Sequence, residues 1–201
     1  MCSVRRDHGD LTARAVIRDE ALRLFAEHGP DTVSLRRVAA AAGVSPGLVA
    51  HHFGSRAGLR EAVDAHVARV FDDLFAILDG ADWDDPGVGA SFADAVLAHL
   101  PADSAIPAYL RRLLLSGDRP GQALFARWYE VTAQVLERLT GAGVLGPADD
   151  PAVRAAFLMA NDLALLLLRP HLTAVLGTDP MSPQGMARWT RTALAVYRDG
   201  I

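Results

Sequence analysis

The chain has 201 residues, of which 51% are hydrophobic and 22% charged; this composition is typical of a globular protein and excludes an intrinsically disordered one. Cys2 is the single cysteine, which excludes an intramolecular disulfide and a cysteine-based metal site and favours a cytoplasmic protein. The amino terminus has no apolar signal-peptide core, and the most apolar run, 155–168, is too short for a bilayer. We therefore expect no association with a membrane.

The formal net charge of −4 is unevenly distributed. Residues 1–60 carry nine arginines and six acidic residues, a net charge of +3, whereas 61–201 carry eleven arginines and eighteen acidic residues, a net charge of −7. This modest asymmetry favours a nucleic-acid-binding head on an acidic body, although it does not establish one alone.

Apolar residues recur at helical spacing along the chain, and glycines and prolines separate the resulting segments. They predict an all-α protein of about nine helices. The first four are predicted over 12–28, 35–42, 46–53 and 56–79. Five more are predicted over 88–100, 106–116, from a turn at 117–120 to about Thr140, 152–168 and 182–198, with Pro170 bending or ending the eighth. We divide the chain into domains 1–55 and 56–201, joined rigidly by the long fourth helix.

The segment 34–53 carries the signals of two short helices joined by a tight turn. Ser34 is a favourable N-cap for the first helix, and Gly43 ends it because glycine adopts the left-handed conformation without steric cost. Ser45 and Pro46 then start the second helix. This pattern is typical of a helix-turn-helix, whose second helix enters a DNA groove. An ordinary corner between two helices of a bundle is the alternative.

The neighbouring residues favour the DNA-binding interpretation. An apolar helix precedes the motif, and Phe53, a turn of small residues and the basic Arg56 follow it before the long fourth helix. In this order the segment 12–59 resembles the tetracycline-repressor (TetR) family of transcriptional regulators. The rest of the chain is similar to that family only in length and helical character. The resemblance implies a three-helix DNA-binding head on a helical body that binds ligands and dimerises.

A set of residues in the head is expected to contact double-stranded DNA. Hydroxyl groups and arginines can donate hydrogen bonds to DNA phosphates. Residues at the start of the second helix of the motif can contact base edges, and Gly47 would let this helix approach the groove closely. For Arg36 and Arg37 a solvated helix face is the alternative. The resemblance is imperfect at Arg56, where the family usually has lysine, and at Ala50, where it usually has tyrosine. The expected contacts are Ser34, Arg36, Arg37, Ser45, Pro46, Gly47, Leu48, His51, His52, Ser55 and Arg56.

Neither a metal nor a cofactor is expected. The adjacent His51 and His52 point about 100° apart on a helix, and no cysteine or carboxylate pattern accompanies them.

In the body, the resemblance implies dimerisation through the last two long helices and a pocket for a small apolar effector between the fourth and eighth helices. The apolar run 155–168 is compatible with a partner, but also with burial inside one subunit. Residues such as Trp128 and Tyr129 belong more often to a core than to a ligand cage. For Asn161 and Asp162 a structural hydrogen bond to a neighbouring helix is favoured over a ligand contact. The candidate effector residues are His66, Val70, Phe92, Tyr109, Leu113, Phe125, Trp128, Tyr129, Thr132, Phe157, Asn161 and Asp162.

Together with the resemblance, these features predict a homodimeric transcriptional regulator that binds a palindromic operator and leaves it when a small molecule binds the body. That the regulator is a repressor is implied by the resemblance alone. A regulator of the same fold without an effector is the first alternative. A helical enzyme is a remote one, because no helix carries grouped metal ligands such as HExxH. A pure protein-interaction module is another.

Overall fold

The computed structural model describes residues 4–80, 88–100, 103–143 and 145–199. This part of the chain is helical and contains no strand, which confirms the predicted all-α class. Its helices are α1 (Val4–His28), α2 (Leu35–Ala41), α3 (Pro46–Phe53), α4 (Arg56–Asp79), α5 (Val88–His99), α6 (Ile106–Ser116), α7 (Arg119–Gly141), α8 (Pro151–Leu167), α9 (Arg169–Leu176) and α10 (Pro183–Asp199).

The helices differ from the sequence prediction in two main respects. The first helix starts at Val4 and not near residue 12. The sequence did not predict the additional turns because the polar segment before Thr12 lacks apolar periodicity. The structure also has one helix more than the nine predicted, α9, which begins beside Pro170. A proline in the first turn of a helix loses no hydrogen bond, so the chain starts a new helix there at 81° to α8.

The helix ends around the predicted helix-turn-helix are as expected. The Ser34 Oγ atom accepts a hydrogen bond from the Arg37 backbone N–H at 3.2 Å, and Ser45 Oγ accepts one from the Leu48 N–H at 3.2 Å. Gly43 has a φ of +66°, the left-handed region that favours glycine. These caps satisfy N–H groups that would otherwise lack partners, and so fix where α2 and α3 begin.

A single apolar core runs from the amino-terminal helices into the body. In the head it contains Ile17, Phe25 and Val49, and along α4 it continues through Val67 and Phe71. Because α4 contributes to both parts of this core, head and body are packed together and are not joined by a flexible linker.

Hydrogen bonds reinforce the junction between α6 and the end of α1. The Arg112 guanidinium donates to the backbone carbonyls of Ala26 at 2.7 Å and Glu27 at 2.8 Å. These carbonyls belong to the last turn of α1, where no further helical N–H is available to them. Arg112 thus ties the body directly to the first helix of the head.

A cluster of polar side chains lies between α4, α6 and α7. The Tyr109 hydroxyl donates to Asp64 Oδ1 at 2.6 Å, and Arg60 pairs with Asp118, the N-cap of α7. Burial raises the pKa of Asp64, and the Tyr109 and Arg60 partners counteract that rise. Burial and the Asp64 carboxylate raise the pKa of Tyr109 far above its ordinary value, so its hydroxyl remains a hydrogen-bond donor.

No single helix in the described ranges is long and apolar enough to cross a bilayer. Taken together, α8 and α9 meet the requirements of length and composition, but they are sharply bent at their junction.

Candidate nucleic-acid interface

The helix α3 presents one side to the core and the other to solvent. Val49 and Phe53 are buried, whereas Pro46, Gly47 and His51 are exposed. The exposed side includes the first turn of the helix, which in a helix-turn-helix reaches base edges. The structure therefore brings Pro46, Gly47 and His51 to one accessible surface.

Gly47 lies in open space on this surface. A Cβ atom added there would meet nothing closer than the Ser45 Oγ atom, at 3.8 Å. Its backbone φ is not in the left-handed region, so neither strain nor crowding within the chain requires glycine. A requirement imposed by something outside the chain is compatible with this geometry.

Two neighbours on α3 are less exposed than the sequence suggested. Leu48 is half-buried and packs against the core. The His52 ring is also half-buried and lies edge-on to the rings of His51, at 5.4 Å, and Phe53, at 6.1 Å. These packing contacts leave less of Leu48 and His52 available to a groove than of His51.

The arginines of α2 lie on its exposed side. Arg36 is exposed, and no hydrogen bond or ion pair joins it to the rest of the described chain. The Arg37 Nη2 atom lies 2.6 Å from the His28 Nε2 atom. Arg36 is thus free to reach a phosphate, while Arg37 is held beside the end of α1.

Ser55 and Arg56 fix the start of α4. The Ser55 Oγ atom accepts a hydrogen bond from the Gly58 N–H at 3.1 Å, and Arg56 Nη1 donates to the Asp31 carbonyl at 2.8 Å. Both residues remain exposed. Arg56 therefore ties the start of α4 to the loop between α1 and α2 and still presents its charge to solvent.

Gly58 is a residue that sequence reasoning missed. A Cβ atom built on it would lie 2.2 Å from the Phe53 backbone carbonyl oxygen. Glycine therefore lets the first turn of α4 approach the end of α3 closely. A glycine inside a predicted helix was the only signal in the sequence.

The candidate effector residues fall into three groups. Tyr109 and Leu113 are buried in the core. A second group is half-buried and comprises His66, Val70, Trp128, Tyr129, Thr132 and Asn161. Phe125, Phe157 and Asp162 are exposed, with the Phe157 side chain 69% exposed. Phe92 lies outside the side chains that the structure describes.

The region between α4 and α7 is closely packed by aromatic rings. The Trp128 ring centroid lies 5.1 Å from that of Phe71 and 5.6 Å from that of Phe75. Thr132 directs its hydroxyl to the Trp128 carbonyl at 3.0 Å. Trp128, one of the candidate effector residues, therefore packs against two aromatic rings of α4.

A hollow of about 310 Å³ lies elsewhere in the body, between α8, α9 and α10. Asn161 is the one candidate effector residue that lines it, together with residues such as Leu176 and Trp189. The hollow is therefore distinct from the α4–α7 region to which most of the candidates belong.

No group of three or more His, Cys, Asp or Glu side chains within the described ranges could hold a metal ion.

An exposed helix-turn-helix, joined through one shared long helix to an all-α body, defines a DNA-binding regulator of transcription. Residues 17–63 match the family described as bacterial regulatory proteins of the tetR family, and 103–201 match the tetracyclin repressor-like C-terminal domain. The chain belongs to the TetR family of DNA-binding transcriptional regulators, which is not an enzyme family.

Individual relatives agree with this assignment. The chain is 38% identical over 149 residues to the HTH-type transcriptional regulatory protein RaaS of Mycobacterium tuberculosis, covering 74% of this chain and 67% of that protein. It is 29% identical over 190 residues to the HTH-type transcriptional regulator BetI of Burkholderia thailandensis, covering 79% of this chain and 94% of that protein.

Solved structures share the fold. A gamma-butyrolactone receptor (ArpA-like protein) superposes with a TM-score of 0.66 at 22% identity, over 96% of this chain and 98% of the receptor. SmeT, the repressor of the Stenotrophomonas maltophilia multidrug efflux pump SmeDEF, superposes with a TM-score of 0.64 at 22% identity, over 92% of this chain and 89% of SmeT.

Proposed function

We propose that the chain is a homodimeric repressor that binds a palindromic operator through the exposed side of α3, with the eleven head residues named above as its contact surface. The observation that carries this proposal is the open space around Gly47 at the start of α3. Arg36, which is exposed and forms no ion pair within the described chain, supplies a charge for the DNA backbone. The site of action would be the cytoplasm, where the operator lies.

Exposed apolar side chains on the last helices support dimerisation. Val153 and Phe157 on α8 are 61% and 69% exposed, and Val196 on α10 is 39% exposed. Water-exposed apolar groups of this size on two long helices favour burial against a second copy. A two-fold dimer would place two α3 helices about one DNA turn, roughly 34–36 Å, apart.

DNA selection tests the proposal. The full chain would be used to enrich duplexes from a random pool, and the affinity for the selected duplex would then be measured by fluorescence anisotropy. We expect Gly47→Leu to weaken binding by about tenfold or more, since a bulky side chain would separate the helix from the base edges. Gly141→Leu, a substitution in open space on α7, should bind as the wild type does.

The salt dependence of DNA affinity tests the role of Arg36. Arg36→Gln should weaken binding to all duplexes similarly and reduce the slope of log affinity against log salt by about 1 for each lost phosphate contact. Arg111→Gln on α6, which is also exposed, is the matched control. Wild-type affinity and slope in both Gly47→Leu and Arg36→Gln would show that this surface does not bind DNA.

Release of the operator by a small apolar effector is the regulatory part of the proposal. One structural neighbour is a gamma-butyrolactone receptor and another represses a multidrug efflux pump, so we propose an apolar small molecule for this chain. The ligand would enter beside Tyr109 and Trp128 and separate rings that are now in contact. To act as a switch, ligand binding would have to change the free energy of operator binding by about 1–3 kcal/mol.

A regulator without an effector is the second candidate. The close contacts of Trp128 with Phe71 and Phe75 favour it, because they fill the space that a ligand would need. A thermal-shift screen with apolar compounds, followed by operator binding with each hit, separates the two candidates. A compound that both raises the melting temperature and releases the operator supports an effector, and a Trp128→Ala variant should then lose that response.

A further inference from the structure

A second hollow, of about 250 Å³, lies between α1 and α4 where they meet the end of α3. Its lining contains Arg14 and Arg18 from α1, Arg69 from α4, the Phe53 side chain and three alanines. We propose that this hollow binds a small phosphate-bearing molecule through the three arginines. The binding itself does not depend on the function proposed above, although any effect on DNA would.

The arginines leave a net positive charge at the hollow. The Arg18 Nε and Nη2 atoms donate to Asp19 Oδ1 at 2.9 and 2.7 Å, so this arginine is oriented by a carboxylate. Arg14 lies over the Phe53 ring, with its Cζ atom 5.3 Å from the centroid. Neither Arg14 nor Arg69 forms an ion pair with any described residue. Three guanidinium groups and one carboxylate give a local charge of about +2.

The positive charge of the arginines affects the pKa of His66, the residue that follows the lining residue Ala65. Burial is the first cause that lowers the His66 pKa, and the nearby Arg18 and Arg69 lower it further, while Asp19 acts in the opposite direction. A neutral His66 adds no charge near neutral pH, so the attraction for an anion comes from the arginines.

The shape and charge of the hollow favour phosphate over a single carboxylate. A phosphate monoester carries about −1.5 to −2 charges near pH 7, which matches the local charge, and it offers three oxygens to donors from different directions. Guanidinium groups donate two parallel hydrogen bonds to such oxygens. The alanine walls leave room for the anion between the helices, and Phe53 places it beside the last turn of α3.

Calorimetric titration of the full chain with inorganic pyrophosphate, without DNA and at ionic strength fixed with sodium chloride, tests the site. We expect one saturable site per chain, with Kd raised about tenfold by Arg14→Gln and by Arg69→Gln, since each loses hydrogen bonds to a charged group. Arg23→Gln removes the same charge from an exposed position on α1 and should leave Kd unchanged. Arg69→Lys keeps the positive charge but loses the planar guanidinium that donates two parallel hydrogen bonds, so it should bind with intermediate affinity.

Melting temperatures of all variants establish that they are folded, and pyrophosphate should raise that of the wild type and Arg23→Gln most. Absence of saturable binding, or equal binding by every variant, overturns the proposal. A phosphate could also belong to the DNA backbone. If pyrophosphate fails to bind and Arg14→Gln and Arg69→Gln weaken duplex binding as Arg36→Gln does, the arginines serve DNA and the small-molecule site is wrong.

Discussion

Replacing Gly58 with alanine tests the packing that positions the recognition helix. The added Cβ atom would lie 2.2 Å from the Phe53 carbonyl oxygen, whereas real Cβ atoms stay at least 3.0 Å from such neighbours. The obstacle is a backbone atom, which cannot rotate away as the end of a side chain could. The start of α4 and the end of α3 would therefore have to separate by about 0.8 Å.

The expected magnitude follows from two opposing effects. Overpacking against backbone costs about 3 kcal/mol, the upper part of the usual range. Alanine regains about 1 kcal/mol over glycine in helix propensity. The net loss in the free energy of unfolding is about 2 kcal/mol, which for a chain of this length lowers the melting temperature by about 4–8 °C.

Thermal unfolding followed by circular dichroism measures this effect, with Gly47→Ala as the matched control. Gly47 is also on a helix of the head, but a Cβ atom there meets only Ser45 Oγ at 3.8 Å, so its melting temperature should stay equal or rise slightly. Gly58→Ala should also bind the selected duplex more weakly, because the end of α3 moves. A melting temperature for Gly58→Ala at or above the wild-type value would refute the reasoning.

Three further substitutions test the other parts of the account. Phe157→Glu should convert the dimer into monomers in sedimentation velocity, because it places a charge on the exposed apolar side of α8. The control Leu115→Glu, at a side chain 74% exposed on α6, should leave the dimer intact. A dimer that survives both changes uses another surface. Arg112→Gln should lower the free energy of unfolding in urea by about 1–2 kcal/mol through two lost hydrogen bonds to α1, and an unchanged value would mean that this tie contributes nothing. A hydrogen bond from Arg169 lowers the pKa of Asp179, so its carboxylate stabilises the fold above the ordinary value of about 4 and loses that effect as the pH falls through the lowered pKa. Asp179→Asn should therefore be less stable than the wild type in urea at pH 7, by a margin that shrinks towards pH 3. An equal margin at both values would contradict a stabilising ion pair between Arg169 Nη2 and Asp179 Oδ2, which lie 2.6 Å apart.

The head could be predicted from sequence because its signals are local. Ser34 and Ser45 cap their helices within three residues, and Gly43 ends α2 in a conformation that glycine favours. The apolar periodicity of α4 likewise shows which side faces the core. Such features depend on neighbours in the chain, and the sequence displays those directly.

The junction and the body could not be predicted in the same way. Arg112 reaches carbonyls 85 and 86 residues earlier in the chain, and no periodic pattern announces such a pair. The family resemblance implied a ligand pocket, but the sequence did not show that Trp128 packs against Phe71 while Phe157 faces outward. The helix after Pro170 was missed because a proline predicts a break but does not predict a new helix.

Hydroxyl-radical footprinting of the selected duplex examines the DNA-binding surface most directly. A dimer that inserts two α3 helices should protect two patches on one side of the duplex, separated by about 10–10.5 base pairs or a whole multiple of that spacing. Gly47→Leu should abolish both patches at a concentration where Gly141→Leu retains them. A single continuous patch, or protection that Gly47→Leu leaves intact, would contradict the account.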